Sequence, residues 1–324
     1  MKMETGKSPG RAPATLFGAR HTVLPVVVAL SSVLACGQTH VSSPTASGAV
    51  AVNSQQVTTI AGAGFASPEN LVFDKKSDVY LVSNINGQPR ARDGNGFISR
   101  VSPNGKVVAL KWIDGTNTST RLDAPKGIAI NGDTIAVADV GAVRFFNERT
   151  GASLGVRTVP GELMNDVAFG KDGSVYVTDT GPDAGKPATA DHDAIYRLYP
   201  DGRTVAIVRS PDLGGPDGIA VADTGLAYAT FKGHTVNEIS ASGARHVVVN
   251  MPGGRDDGLR RMPDGSFVVS SWDTKTVYRL LPDGALHPIL TGVTSPAGLA
   301  YDAERQMLAV TSMQENRLYL LPLK

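Results

Sequence analysis

The chain of 324 residues contains a single cysteine, which excludes an internal disulfide framework and a zinc site built from cysteines. It also lacks an excess of charge of either sign, since 31 lysines and arginines accompany 30 aspartates and glutamates. Without a basic surplus, we expect no nucleic-acid partner. Hydrophobic residues reach 41 %, enough for a sizeable core but too few for a protein that crosses a membrane many times. By contrast, the 36 glycines and 20 prolines favour many short strands over long helices.

Residues 1–35 have the pattern of an export signal. Four basic side chains and one acidic side chain precede an apolar run at 23–35, which is too short for a membrane helix of about 20 residues. The run ends at Cys36, and the sequence VLAC at 33–36 resembles the bacterial lipobox. The resemblance implies a lipoprotein signal peptide over 1–35, lipidation of Cys36, and an exported protein anchored by lipid in the bacterial cell envelope, on the periplasmic side or the cell surface. An ordinary signal peptide with an incidental cysteine is the alternative. Residues 36–56 carry no charged side chain and predict a flexible tether.

Residues 57–324 contain six copies of a repeating unit. The strand-like segments IYRLYPDG (195–202) and VYRLLPDG (277–284) are nearly identical, and related segments recur through the chain. Each unit also has a segment like PDGIAV (216–221) and one like SFVVSSW (266–272). Four short strands per unit of about 40–50 residues predict an all-β fold, a six-bladed β-propeller with four antiparallel strands per blade. How the ring closes stays open, because the sixth unit has four strand patterns of its own.

One position near the start of the innermost strand is polar in five of the six units. The residues at this position are Glu69, Lys126, Asn165, Asp217, Asp257 and Ala297. Innermost strands of a propeller line its central channel, so we expect the five polar side chains to point towards one axis. Carboxylates brought so close together need a compensating cation. Carboxylate and amide oxygens suit Ca²⁺ or Mg²⁺, and also Mn²⁺, whereas none of the six histidines stands at these positions to form a zinc site.

These boxes resemble the SMP-30/gluconolactonase/luciferin-regenerating-like family, whose six-bladed propeller holds a catalytic divalent metal in its channel. The resemblance rests on Glu69 in PENLVFD, on Asn165 followed by Asp166, and on Asp257 in DDGLRR. It implies that Glu69, Asn165, Asp217 and Asp257 hold a divalent metal, most simply Ca²⁺, with Mg²⁺, Mn²⁺ and Zn²⁺ as alternatives. It also implies that Asp257 is the catalytic residue.

The chain departs from the family pattern at two of these positions. Asp217 stands where the family commonly has Asn, and Lys126 occupies the position of the second blade. Two interpretations remain open. In the first, Lys126 compensates the extra charge of Asp217 beside a bound metal. In the second, Lys126 replaces the metal, and the channel holds a salt-bridge cluster.

Residues just after the next strand of each unit should ring the same mouth of the channel. We therefore predict a substrate pocket lined by Lys126, Asn84, Asp179, Phe231, Trp272 and Met313. Two connections on that face are enlarged, at 84–95 and 180–193. We expect them to form a wall or lid that selects the substrate. Solvated loops that merely tolerate extra length are the alternative.

The sequence favours a metal-dependent hydrolase of lactone-like or ester substrates, in which the metal polarises the carbonyl group. A serine nucleophile is disfavoured because the two Gly-x-Ser-x-Gly matches, at 6–10 and 151–155, are not followed by a helical pattern. The expected partners are a small lactone or ester and, through the lipid anchor, a membrane. A non-catalytic NHL-like envelope propeller that binds a ligand or a protein is the main alternative. A lyase or strictosidine-synthase-like activity on the same fold is a third.

Overall fold

The computed structural model describes residues 57–182 and 193–323, which form 24 β-strands, six four-stranded antiparallel sheets and one 3-10 turn at Pro211–Leu213. The predicted six-bladed propeller is confirmed. The chain begins with β1 (Thr58–Ile60), and blades one to three follow as β2 (Pro68–Asp74), β3 (Val79–Asn84), β4 (Phe97–Val101), β5 (Val107–Asp114); β6 (Ile128–Asn131), β7 (Thr134–Asp139), β8 (Ala142–Asn147), β9 (Ser153–Thr158); β10 (Met164–Phe169), β11 (Val175–Asp179), β12 (Ala194–Leu198), β13 (Thr204–Arg209). Blades four to six continue as β14 (Pro216–Val221), β15 (Gly225–Thr230), β16 (Thr235–Ser240), β17 (Arg245–Asn250); β18 (Asp256–Arg261), β19 (Phe267–Ser271), β20 (Thr276–Leu280), β21 (Leu286–Thr291); β22 (Pro296–Asp302), β23 (Met307–Ser312), β24 (Arg317–Pro322).

The ring closes through the first strand of the chain. The sixth sheet has the order β1-β24-β23-β22, and Thr59 of β1 pairs with Tyr319 of β24. One of the four strand patterns counted for the sixth unit is HPILTG at 287–292, and it lies within or beside β21, the outer strand of blade five. The open question of closure is therefore answered: the two ends of the propeller share one blade, and this pairing joins the first and last blades.

The core of the described residues lies between the blades. Six clusters of buried apolar side chains each fill one interface between neighbouring blades. Between blades one and two, for example, Leu81 and Ile98 pack against Ile135 and Val137. The outer strands are largely exposed, and β9 is exposed along most of its length, which explains its weak hydrophobic pattern. The alternation of apolar residues in the middle strands thus specifies how the blades stack.

Two local features bring the innermost strands close to the channel. In five blades the inner strand carries a β-bulge directly after its first residue, and Glu69, Asn165, Asp217 and Asp257 lie in four of these bulges. Bulges turn side chains away from the regular alternation and are common beside active sites. Glycine follows Asp257 because a Cβ at Gly258 would overlap the carbonyl oxygen of Ala297 in the next blade. The Asp-Gly boxes therefore reflect strands that approach too closely for a side chain.

Within residues 57–182 and 193–323, no helix is long and apolar enough to cross a membrane. The predicted signal peptide, the tether and Cys36 lie outside the described residues.

Candidate functional site

Three buried carboxylates converge at one mouth of the channel. Glu69, Asp217 and Asp257 come from blades one, four and five, and each offers an oxygen within 4.8 Å of the other two. All three are at most 5 % exposed. Together with Lys126 and Asn165 they line a cavity of about 360 Å³. The structure therefore brings together the five polar residues that the sequence placed at one position of the innermost strands.

Asn165 presents an unused oxygen at this site. Its Nδ2 donates hydrogen bonds to Thr180 Oγ1 at 2.9 Å and to Asp217 Oδ2 at 2.7 Å. Its Oδ1 is buried without a hydrogen-bond partner, and so is Glu69 Oε2. A buried acceptor without a partner costs about 1–3 kcal/mol, so two such atoms beside three carboxylates call for a ligand.

The electrostatics of the site point to a cation. Burial raises the pKa values of Glu69, Asp217 and Asp257 well above their usual range, and neighbouring carboxylates raise them further. The strongest such neighbour is Asp257 for the first two, and Asp166 for Asp257 itself. Three carboxyl groups so close together are all ionised only when a positive ion lies between them. The oxygen-only donor set of Glu69, Asn165, Asp217 and Asp257 fits a hard divalent cation.

Lys126 belongs to the cavity but not to the carboxylate group. It is 2 % exposed, and its Nζ donates to the carbonyl oxygens of Pro89 at 2.8 Å and Ala124 at 2.9 Å. Within the described part of the chain, this ammonium forms no ion pair shorter than 4.0 Å with the site. Burial lowers its pKa, and the attraction of Glu69 opposes that effect. The salt-bridge cluster of the second interpretation is therefore not formed by the residues described.

The residues predicted to line the pocket after the second strand of each blade do not all occupy the same position. Two of them lie one residue earlier than the others. Phe231, Trp272 and Met313 line the cavity, whereas Asn84 and Asp179 are fully buried and do not. The backbone N–H groups at positions 85, 180, 231, 272 and 313 make the same hydrogen bond to the segment before the inner strand, so these positions are equivalent. Asn84 and Asp179 precede this position by one residue. Because side chains alternate along a strand, a shift by one residue turns them to the other side.

Asn84 and Asp179 instead hold the backbone that leads into the site. Asp179 accepts hydrogen bonds from the N–H groups of Leu163 at 2.8 Å and Gly181 at 3.0 Å. Asn84 Oδ1 accepts one from Ala66 at 3.1 Å. Since residue 66 lies two positions before β2 and residue 163 one position before β10, these two side chains fix the approach to Glu69 and Asn165.

Hydroxyl groups connect the inner strands of neighbouring blades. Thr178 donates to the carbonyl oxygen of Asp217 at 2.7 Å, and Thr311 donates to that of Glu69 at 2.8 Å. Ser270 makes the corresponding bond to Ala297 at 2.7 Å. The sequence analysis missed these residues, although a Ser or Thr recurs at one position of the segments VYLVSN, SVYVTDT, SFVVSSW and MLAVTSM.

The enlarged connection at 84–95 does reach the cavity. Its Pro89 and Arg90 are lining residues, as are the overlooked Ile85, Gln88, Leu163 and Thr180. Arg90 donates to the carbonyl oxygen of Gly181 at 2.7 Å and lies 3.6 Å from the carboxylate of Glu162. This arginine therefore connects the first enlarged loop to the start of the second, most of which lies outside the described residues.

A second, larger cavity of about 710 Å³ is lined by later residues of the same inner strands. Asn70 and Asp166 line it, and Asn70 Nδ2 donates to Asp166 Oδ1 at 3.1 Å across the channel. Burial raises the pKa of Asp166 to about 6. None of the four candidate metal ligands lines this cavity.

Solved structures with the same fold include proteins of more than one activity. A protein described as a gluconolactonase from Xanthomonas campestris is 19 % identical, with a TM-score of 0.65 over 83 % of this chain and 90 % of that one. A calcium-binding protein, regucalcin, from Agrobacterium tumefaciens is 16 % identical, with a TM-score of 0.58 over 80 % and 90 %. Virginiamycin B lyase from Staphylococcus aureus is 14 % identical, with a TM-score of 0.56 over 83 % and 99 %. At these identities the similarity shows the fold alone.

A comparison with curated protein sequences gives no match. Residues 102–314, well over half of the chain, match the family described as the SMP-30/Gluconolactonase/LRE-like region. The matched range includes Asn165, Asp217 and Asp257, while Glu69 lies before it. The chain therefore belongs to the SMP-30/gluconolactonase/LRE-like family.

Proposed function

We propose that this protein is a hydrolase of lactones or esters that depends on a divalent metal. The observation that carries the proposal is the convergence of three buried carboxylates with two unpartnered buried acceptors, Glu69 Oε2 and Asn165 Oδ1, in one cavity. Membership of the family supports it. Glu69, Asn165, Asp217 and Asp257 would hold the metal. Ca²⁺ is the first candidate because all four donors are oxygens, and Mg²⁺, Mn²⁺ and Zn²⁺ are the alternatives to test.

When bound, the metal would act as a Lewis acid towards the carbonyl oxygen of the substrate. The chain supplies the remaining chemistry. Asp257 is the proposed general base: its carboxylate takes a proton from the attacking water and returns it to the alkoxide oxygen when the ester C–O bond breaks. Burial raises the pKa of Asp257, and the indole N–H of Trp272 beside this carboxylate partly offsets the rise, although it forms no well-directed hydrogen bond.

The test uses the purified full chain, stripped of metal with a chelator. Calorimetric titration with Ca²⁺ and lactone hydrolysis followed by proton release would be measured together. We expect one Ca²⁺ per chain, turnover that requires it, and loss of turnover in Asp257→Ala. Asp223→Asn is the matched control, because it removes a surface carboxylate of blade four that is paired with Arg261. Calcium binding without turnover of any lactone or ester would favour the non-catalytic ligand-binding propeller.

We further infer that the protein is exported and anchored in the cell envelope by a lipid on Cys36. The basic segment, the short apolar run and the VLAC sequence support this inference. Labelled palmitate should enter the protein in a bacterial host, and Cys36→Ser should abolish the labelling and release the protein from the membrane fraction. Membrane attachment that persists without Cys36 would contradict the lipid anchor.

A further inference from the structure

The cavity has two chemically distinct sets of lining residues. The residues contributed by the innermost-strand boxes are all polar: Glu69, Lys126, Asn165, Asp217 and Asp257. Nine further lining residues come from the connections between strands, and six of these are apolar: Ile85, Pro89, Leu163, Phe231, Trp272 and Met313. The reacting end of a substrate would therefore meet charged oxygens, while its remainder would lie against hydrocarbon and aromatic rings.

Most polar side chains that line the cavity around the apolar residues already form hydrogen bonds or ion pairs within the protein. Lys126 donates to two backbone carbonyls. Thr180 Oγ1 accepts from Asn165 and donates to the carbonyl oxygen of Pro216 at 3.0 Å. Arg90 donates to Gly181 and faces Glu162. Among the described lining residues outside the carboxylate group, the exposed amide of Gln88 and the indole N–H of Trp272 are the polar groups that remain free for the hydroxyl groups of a sugar ring.

The apolar side of the cavity is well formed. The rings of Phe231 and Trp272 pack edge to face, with centroids 5.3 Å apart at 83°. Met313, from the neighbouring sixth blade, adds a flexible thioether that adapts to chains of different shape. A cavity of about 360 Å³ accommodates a lactone ring with a side chain of several carbons.

We propose that the substrate of this site is a lactone or ester with an apolar alkyl or aryl substituent, rather than a polyhydroxylated sugar lactone. This inference rests on the proposed hydrolase function. The ester group would lie at the carboxylates, and the substituent would contact Phe231, Trp272 and Met313. A sugar lactone would bury several hydroxyl groups without partners, and sites discriminate strongly against such groups.

The experiment compares δ-decalactone with D-glucono-δ-lactone on the metal-loaded full chain. We expect kcat/KM for the aliphatic lactone to be at least about 100-fold higher. Met313→Gln, which keeps the length of the side chain but adds an amide, should lower kcat/KM about tenfold for δ-decalactone and by a clearly smaller factor for δ-valerolactone, which has no side chain. Val247→Ser is the matched control, because Val247 is an exposed apolar residue on the outer strand of blade four. Equal or higher kcat/KM for the sugar lactone would overturn the inference.

A binding measurement separates this inference from the hydrolase proposal. Calorimetry would use two lactams that resist hydrolysis, one with a pentyl side chain and one with the hydroxyl pattern of gluconolactone. If neither lactone is turned over but the pentyl lactam binds and Met313→Gln weakens it, the hydrolase proposal fails and the apolar ligand class stands. Binding of the sugar lactam alone, or of neither lactam, would overturn the ligand class.

Discussion

Replacing Asp179 by alanine should destabilise the fold rather than weaken substrate binding directly. The carboxylate of Asp179 is fully buried. Its Oδ1 accepts from Leu163 N at 2.8 Å and Gly181 N at 3.0 Å, and its Oδ2 accepts from Glu162 N at 3.1 Å. Alanine leaves three N–H groups without an acceptor at about 1–3 kcal/mol for each buried one. Because Glu162 and Leu163 are only half-buried, the lower end applies and the sum is about 3 kcal/mol.

Asparagine at the same position should cost less. An amide oxygen in place of Oδ1 still accepts from Leu163 and Gly181 and lies 3.3 Å from Glu162 N, so only the shorter bond from Glu162 N, to Oδ2, is lost. We therefore expect a loss of about 1 kcal/mol for Asp179→Asn. Urea unfolding of the full chain measures both variants, and an unchanged m-value would show that the denatured state is not altered.

The control for this pair is Asp201→Ala, which removes an exposed carboxylate in a turn of the same blade, paired with Arg203. We expect no measurable change in unfolding there. If Asp179→Ala unfolds like the native chain but has a higher KM for the substrate, the structural role is refuted. Asp179 would then be a residue of the substrate pocket. Equal losses for Asp179→Ala and Asp179→Asn would refute the count of lost hydrogen bonds.

Four further substitutions test the site and the channel. Asn165→Ala removes an amide oxygen that has no other partner, so Ca²⁺ affinity should fall about 10- to 100-fold by calorimetry, whereas Asp217→Asn, which keeps an oxygen donor, should retain binding with a smaller loss. Lys126→Met keeps the buried volume but removes a positive charge that attracts Glu69, so Ca²⁺ affinity should rise about fivefold, and a loss of binding would contradict the separation of Lys126 from the ligands. Gly258→Ala places a Cβ against the carbonyl of Ala297 and should lower the free energy of unfolding by about 3 kcal/mol, measured in urea.

The blades could be predicted from the sequence because each is a local unit. Alternating apolar residues and Gly-containing turns recur within about 40–50 residues, and each copy indicates the same four strands. Ring closure could not be predicted in this way. The pairing of Thr59 with Tyr319 joins residues at opposite ends of the propeller, and no periodic signal distinguishes β1 from the leading strand of any other unit.

The candidate ligands were predictable for the same reason, whereas the pocket residues of two blades, Asn84 and Asp179, were assigned one position too early. Glu69, Asn165, Asp217 and Asp257 share one position of the repeat, so the geometry of one blade applies to all. The wall depends on where each second strand ends. A difference of one residue separates the buried Asp179 from the lining Thr180. The recurring Ser or Thr two residues before Thr180, Trp272 and Met313 is the sequence feature that marks this boundary.

The hydrogen bonds between blades explain how widely separated parts of the chain can build one site with defined geometry. Three of the four candidate ligands have a carbonyl oxygen that accepts a hydrogen bond from the preceding blade: Glu69 from Thr311 of blade six, Asp217 from Thr178 of blade three, and Asn165 from the N–H of Gly127 of blade two. These bonds act on the backbone, so they position the carboxylates before any ion binds. The unpartnered oxygens of Glu69 and Asn165 are then the cost of a site that is organised by the fold rather than by its ligand.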